Sequence, residues 1–528
     1  MAKRKREVNT SNSQGVSEQP RKAIKAAAPS ESSGGDPATV TIQIVTGSYE
    51  RILHGFTFDL PAKHSNSPGQ TSNQNGSSAS VQFSDTFLFH AHTSAIRSLA
   101  LSPPTSSDPT QPQNLILASG GTDERINIYT ISAAPPLVSE RFPSVSIAGS
   151  KILENPGNRE LGSLMHHSSS ITALYFPSRS KLLAASEDNS ISVTRTRDLT
   201  VVSMVKAPQP KAQGRPTGDT APPGSSPSGI NDFAIHPSMK LMLSVGRGER
   251  CMRLWNLVTG KKAGVLNFGK EILQSVQESR RGTGEGRKIV WNSQGEEFAV
   301  AFERGVMVFG VVSRFLLFAS GASMMTLTSC KDSTPRCKVL PSPASKIHRL
   351  RYVTFTPEKD ADAADELLAV STEDGRVIFY STKETHPSDD VESPIPNATV
   401  RAQLGGKPSG LDGRIKDFEI LSLTGIDAWQ DHFVLIACGS DGAVRVWLLR
   451  TEDLQQTKDV THKEGAKSSA SPPRQIGTLL DTYETGNRIT CMVAFVMQPP
   501  EEFFATGDSA SESGILEDDD SGSDDSDE

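Results

Sequence analysis

The sequence predicts an all-β fold in which one antiparallel unit recurs seven times around a closed ring. Three observations predict it. A tight turn followed by alternating apolar residues recurs along the chain, a short apolar strand precedes each copy, and both ends of the patterned region carry strands without a local partner.

The clearest copy is "GSDGAVRVW", Gly439 to Trp447. Asp and Gly supply the turn, and every second residue after them is apolar, as in a strand with one face buried. Six further copies read "GSYERILHGF" from Gly47, "GGTDERINIY" from Gly120, "ASEDNSISVT" from Ala185, "VGRGERCMRLW" from Val245, "AFERGVMVF" from Ala301 and "STEDGRVIFY" from Ser371. Preceding strands include "LILAS" at Leu115, "KLLAA" at Lys181, "LMLS" at Leu241, "ELLAV" at Glu366 and "FVLIAC" at Phe433.

The first apolar residues after the turns are Ile52, Ile126, Ile191, Met252, Val306, Val377 and Val444, spaced 54 to 74 residues apart. A four-stranded propeller blade needs only about 40–45 residues. The excess falls in polar stretches at 61–80, 103–113, 132–160, 206–228, 270–287, 356–365, 381–400 and 452–474, which read as surface loops. The first copy begins near Thr39 with no earlier strand, and "NRITCMVAF" at Asn487 is a strand with no hairpin after it. Pairing these two ends closes a seven-bladed β-propeller and removes its open edges. The organisation expected is a disordered basic arm at 1–38, the propeller with disordered inserts at 39–498, and a disordered acidic tail at 499–528.

Bulk composition fits this reading. The chain has 528 residues, 36% hydrophobic, with 42 Gly and 33 Pro, enough for a large core and much loop. Its formal charge of -7 is a property of the tail, because "EDDDSGSDDSDE" holds eight acids and no base. Five scattered cysteines with no C-x-x-C pair argue against a disulfide framework or a zinc site and fit a reducing intracellular compartment. "MAKRKREVNTSNSQ" lacks the apolar run of a secretory signal. The one long apolar stretch, Gly305 to Leu327, contains Arg314, whose insertion into a bilayer would cost about 2.5–3.5 kcal/mol, so two strands joined near Arg314 are expected instead of a membrane helix.

Aspartates in the turns (Asp123, Asp188, Asp374, Asp441) and histidines ahead of the next strand ("HAHTSAIRSLAL", "MHHSSSITALYF") resemble the WD repeat. In that motif a turn carboxylate bonds a buried histidine, the histidine bonds a strand hydroxyl, and an aromatic residue closes the set. The resemblance implies a structural network of His92, Ser119, Asp123 and Tyr129 in one blade, with His167, Asp188, Trp255, Asp374, Asp441 and Trp447 playing corresponding parts elsewhere. Tyr129 stands where Trp is usual, and Asn256 and Leu448 replace the Asp that names the motif.

Within WD proteins, "VTGSYERILHGF", "LMLSVGRGERCMRLWNLVTGKKA", "WNSQGEEFAV" and "GRIKDFEIL", in this order with the two histidine segments, resemble the nucleolar maintenance-of-killer / p21-activated-kinase-interacting family. The resemblance implies a non-enzymatic scaffold for large-subunit ribosome assembly and rRNA maturation in the nucleolus. Its partners would be ribosomal and assembly-factor proteins and pre-rRNA, bound as a monomer within a larger complex. The alternative it implies is a negative regulator of p21-activated kinase.

No catalytic constellation, metal cluster or cofactor motif is found. "GGKPSG" at Gly405 has Pro408 where a phosphate loop needs Ser or Thr, and "RGTGEG" at Arg281 lacks a strand-to-helix frame. Lys3, Arg4, Lys5 and Arg6 with Arg21 and Lys22 form a two-part nuclear import pattern. In the acidic tail, Ser521 precedes Asp524 by three residues and fits an acidophilic kinase; the tail's charge reads as a solubilising, self-repelling segment, with contact to basic ribosomal proteins as the alternative. Candidate partner-binding residues are Tyr49, Arg125, Arg250, Arg414 and Lys416, with Arg97 and Arg253 nearby in the pattern.

Overall fold

The computed structural model describes residues 39–61, 82–104, 114–135, 146–147, 150–151, 155, 157–209, 228–279, 282–311, 333–355, 365–388, 394–411, 413–423, 426, 429–455 and 473–498. The expected import residues Lys3 to Arg6, Arg21 and Lys22, the acidic tail, Arg314 and the second half of the apolar stretch lie outside them.

Each turn-and-strand copy forms the middle of a four-stranded antiparallel sheet. Blade 2 runs Ile96–Leu101, Asn114–Gly121, Ile126–Ser132, Arg159–Leu164; blade 3 Ile171–Ser178, Lys181–Ser186, Ser190–Arg195, Thr200–Lys206; blade 4 Ile230–Ile235, Leu241–Gly246, Cys251–Asn256, Lys261–Asn267. Blade 5 runs Lys288–Trp291, Glu297–Ala301, Val306–Gly310, Thr334–Val339; blade 6 Ile347–Phe355, Asp365–Thr372, Arg376–His386, Asn397–Gly405; blade 7 Ile415–Ser422, His432–Gly439, Ala443–Arg450, Thr478–Glu484. A parallel bridge between Lys338 and Asn397 joins the outer strands of blades 5 and 6.

Blade 1 is assembled from both ends of the patterned region. Val40–Ser48, Ile52–Leu60 and Gln82–His90 are its outer three strands, and Ile489–Val496 is its innermost. The two ends pair antiparallel, with Ile42 opposite Val496, Ile44 opposite Ala494 and Thr46 opposite Met492. This is the closure the sequence predicts.

Each seam between neighbouring blades holds a large hydrophobic cluster, and the seam of blades 1 and 2 holds a second, small one around Leu115 and Phe495. Between blades 7 and 1, Ile42, Ile44, Phe56 and Phe58 meet Val434, Ile436, Val444 and Val446. Between blades 5 and 6, Val306 and Val308 meet Leu368, Val370 and Ile378. Seven such clusters occupy the seven seams. Burying each large side chain fully is worth about 1.5–3 kcal/mol, so the seams hold the ring together.

The turns between second and third strands need left-handed backbone at the residue after the aspartate. Gly375 and Gly442 take it freely at φ 81° and 92°, whereas Glu124 and Asn189 hold it at 66° and 63°.

Several of the expected loops are partly structured. The stretch 270–287 contains the helix Lys270–Ser275, whose Ile272 and Leu273 pack with buried Val276 against the seam of blades 4 and 5. A six-residue helix is shorter than the window in which helical periodicity can be read. The stretch 381–400 begins and ends in strand, as Arg376–His386 runs into it and Asn397–Gly405 starts within it. At 452–474, Thr451–Leu454 forms a helical turn with buried Leu454.

Candidate functional site

The innermost strands line a central channel, and six of them carry the same irregularity at the same place. Each begins with a buried isoleucine, and the next residue is an extra one in the register opposite the second strand. These bulged residues are Thr490, Arg97, Thr172, Asn231, His348 and Lys416 in blades 1, 2, 3, 4, 6 and 7. A bulge re-aims the side chain it carries. All six line one cavity of about 510 Å³ at the channel mouth, with Lys288 of blade 5 completing the circle.

Some ring members bond the next blade. Thr490 Oγ1 donates to Ile96 O at 2.6 Å, Thr172 Oγ1 to Ile230 O at 2.6 Å, and Asn231 Nδ2 to Gly286 O at 2.9 Å. Charged residues deeper in the channel do the same. Asp232 pairs with Lys288 at 3.6 Å and accepts the Ile289 N–H at 3.1 Å, and Arg351 donates to Phe418 O and to Glu419.

The cavity lining carries six cations (Arg97, Arg247, Arg287, Lys288, Arg349 and Lys416) against the two carboxylates of Glu285 and Asp417. Carboxylates around the rim are shared: Glu187 accepts from both Arg97 and Arg247 at 2.8 Å, and Glu303 pairs with Lys346 at 3.1 Å and Arg287 at 3.7 Å. Burial, then the positive charges of Arg414 and Arg488, lower the Lys416 pKa. Burial, then Lys416, depress His348 to about 4.

The blade networks lie in the seams. His92 Nδ1 bonds Asp123 at 3.0 Å and its Nε2 bonds Ser119 Oγ at 2.8 Å, while the Asp123 carboxylate also accepts the Thr93 N–H at 2.9 Å. Tyr129 lies beside this set, its hydroxyl pushed up to about 12 by burial and held back by hydrogen bonds with Ser119 and Asn127. In blade 3, His167 bridges Asp188 at 3.0 Å and Ser192 at 2.8 Å. Trp255 Nε1 donates to Ser244 at 2.8 Å without a histidine.

Asp374 and Asp441 differ from the histidine pattern, because arginines further along the next strand take the carboxylates. Arg376 binds Asp374 through Nε at 2.8 Å and also reaches the carbonyls of Ser342 and Pro343, and Arg445 binds Asp441 at 2.8 Å. Trp447 is buried in the seam of blades 6 and 7.

Of the candidate partner-binding residues, Tyr49, Arg125 and Arg250 sit on second-to-third-strand turns, Arg414 just before the inner strand of blade 7 and Lys416 at its bulge; all lie at the end of the ring that holds the cavity. Tyr49 is 60% exposed, with the Arg488 guanidinium 5.5 Å from its ring. Arg125 is exposed on its turn. Arg250 is engaged within the chain, donating to Thr283 O at 2.9 Å, and Arg414 pairs with Glu373 at 2.9 Å. Arg253 is half-buried against Glu249. Sequence reading missed Arg247, Arg287, His348 and Arg349; the isoleucine that opens each bulged inner strand gives no sign that the next residue turns toward the channel.

Among the described residues no group of histidine, cysteine, aspartate and glutamate has a metal-holding arrangement, and no helix is long and apolar enough to cross a membrane. Cys337 and Cys491 are enclosed, and burial pushes both thiols up to about 12, away from nucleophilic chemistry.

The WD domain, G-beta repeat family matches residues 158–194, the outer strand of blade 2 and three strands of blade 3. Protein MAK11 of Saccharomyces cerevisiae is 26% identical over 432 residues, covering 78% of this chain and 78% of that protein. The p21-activated protein kinase-interacting protein 1-like protein of Xenopus laevis is 23% identical over 456 residues, 86% of this chain and 82% of its own. The p21-activated protein kinase-interacting protein 1 of Homo sapiens is 25% identical over 263 residues, 49% of this chain and 44% of its own. With seven four-stranded sheets closed end to end, the chain is a WD-repeat β-propeller related to MAK11 and the p21-activated protein kinase-interacting proteins.

Proposed function

We propose that the protein is a non-enzymatic scaffold for nucleolar assembly of the large ribosomal subunit, holding ribosomal and assembly-factor proteins and pre-rRNA in a fixed geometry. The observation that carries this reading is the collection of cations at one end of the ring, where six basic side chains line the channel mouth against two carboxylates. A basic, rigid rim attracts RNA phosphates and acidic protein segments at long range. Nuclear import would use Lys3 to Arg6 with Arg21 and Lys22, and alanine at Lys3 to Arg6 should abolish nuclear accumulation of a fluorescent fusion. The whole reading is tested by purifying the tagged protein and identifying bound proteins and RNA together. Recovery of large-subunit precursors and rRNA intermediates supports it, and their absence overturns it.

A second reading is supported by the names of two of these relatives, which are called p21-activated protein kinase-interacting. Here the propeller binds that kinase and restrains it. Purified full chain and kinase decide it: inhibition of autophosphorylation supports the reading, and an unchanged rate rejects it.

A further inference from the structure

We propose that the basic mouth of the channel is a binding site for a compact polyphosphate, a small molecule carrying several phosphate groups. The inference does not rest on the ribosome-assembly reading, since it concerns only the cavity and its lining.

The site is built. Six successive bulges and Lys288 bring one residue from every inner strand to a single ring around a cavity of about 510 Å³. That volume falls in the range of about 300–1,000 Å³ typical of small-ligand sites, but the lining is unlike that of an apolar pocket. Only Leu99, Ile347 and Cys491 are apolar among the lining residues. A ligand seated here would be held by charge and hydrogen bonds.

The ring is uneven in how its polar ends are used. On the side of blades 1, 3 and 4, Thr490, Thr172 and Asn231 spend their donors on the backbone of the next blade. On the side of blades 6 and 7, Lys416 has no carboxylate within 4.0 Å among the described residues, and His348 Nε2 finds no hydrogen-bond partner there. Arg287 stands beside them with only a long 3.7 Å contact to a carboxylate it shares with Lys346. Arg97 and Arg247 across the mouth divide one carboxylate between two guanidiniums, leaving a surplus positive charge. The remaining acid of the lining with a structural role, Asp417, is already occupied by Arg349 at 3.1 Å and the Met492 N–H at 3.3 Å.

Phosphate chemistry answers this arrangement. Planar guanidiniums grip phosphate oxygens in pairs, and an ammonium adds a point charge. Several phosphates on one small frame can meet Arg97, Arg247, Arg287 and Lys416 at once, because these surround a common space. A multiply charged anion would also relieve the repulsion from Arg414 and Arg488 that, after burial, lowers Lys416.

The test is calorimetric titration of the purified full chain in about 0.15 M salt, where exposed surface charges are largely screened. Inositol hexakisphosphate, tripolyphosphate, ATP and a single-stranded RNA decamer are the probes. The first three share the proposed chemistry, and comparing inositol hexakisphosphate with ATP separates an inositol-based source from a nucleotide one. Saturable one-site binding of at least one compact probe is expected. Lys416→Ala and Arg287→Ala should each weaken it roughly tenfold or more, the loss expected for one charge-assisted contact. The paired substitution of Lys261 and Lys262 by alanine, on the exposed outer strand of blade 4, should leave it within twofold. Circular dichroism melting of every variant establishes that the ring is intact, and Arg287→Ala serves if Lys416→Ala fails to fold. Absence of binding by all three compact probes, binding of the RNA alone, or equal affinity in folded Lys416→Ala and Arg287→Ala proteins would overturn the site. Any of these outcomes leaves the purification experiment for ribosome assembly to be judged separately.

Discussion

Arg349 Nε lies 3.1 Å from Asp417 Oδ1, joining the inner strands of blades 6 and 7, while the other oxygen of the same carboxylate accepts the Met492 N–H of blade 1 at 3.3 Å. One buried side chain thus ties three blades together. Asp417→Asn keeps the shape and removes the charge that balances Arg349. Because Arg349 remains partly open to the channel water, the expected destabilisation is about 2–3 kcal/mol, below the loss for a fully enclosed pair. Urea denaturation of the two proteins measures it, and equal midpoints would mean the carboxylate is dispensable.

The histidine network of blade 2 makes a smaller, local prediction. Ser119→Ala leaves His92 Nε2 enclosed without its 2.8 Å partner, which should lower stability by about 1–2 kcal/mol. Trp255→Phe removes the single donor to Ser244 and is expected to lose about 1 kcal/mol. Ser119→Thr, which retains the hydroxyl, should restore most of the loss; failure to do so would assign the effect to packing.

Turn geometry supplies a third test. Gly442 adopts φ 92°, and a Cβ there would meet the Asn487 carbonyl oxygen at 2.7 Å. Gly442→Ala should therefore destabilise by about 2–3 kcal/mol, from left-handed strain and this clash together. Thermal melting followed by circular dichroism would show the shift.

Acid should loosen the ring in two stages. Burial and the neighbouring charges of His167 and Lys416, respectively, hold His166 and His348 down to about 4, below the ordinary histidine value of 6.5. The unfolded chain then binds more protons between those values, so stability falls as pH drops from about 6.5 to 4. Asp188 acts lower. Burial opposes its charge, but bonds from His167 and Ser190 outweigh burial and hold its carboxyl well below the usual 3.8, so its contribution is present above that value and is lost beneath it. Denaturation at a series of pH values, with His166→Gln and His348→Gln for comparison, tests the first stage: both substitutions should flatten the slope between pH 6.5 and 4.

Much of the fold was legible because the repeat has a local cause. Ile126, Val377 and Val444 each follow a turn residue and open an alternating strand, and both signals lie within ten residues. Closure was legible for a complementary reason, since unpaired strands at Val40 and Ile489 must find each other. The channel mouth was not. A bulge adds one residue to a register and leaves no mark on composition, so nothing near Arg97 or Lys416 announces that both aim at a common axis. The arginine partners of Asp374 and Asp441 were hidden for a similar reason: Arg376 lies two residues on and Arg445 four, distances at which only the built turn shows who meets whom. The helix Lys270–Ser275 was masked by the glycine- and charge-rich residues around it.

The join between Val40–Ser48 and Ile489–Val496 also sets a timetable for biosynthesis. Three strands of the first blade emerge early, yet their inner neighbour is the last strand among the described residues. At about 5–20 residues per second, the wait lasts roughly 20–90 s. Throughout it the Val40–Ser48 edge offers unsatisfied amides and carbonyls to any passing strand, so a nascent chain of this architecture stays open to aggregation until Ile489–Val496 is made.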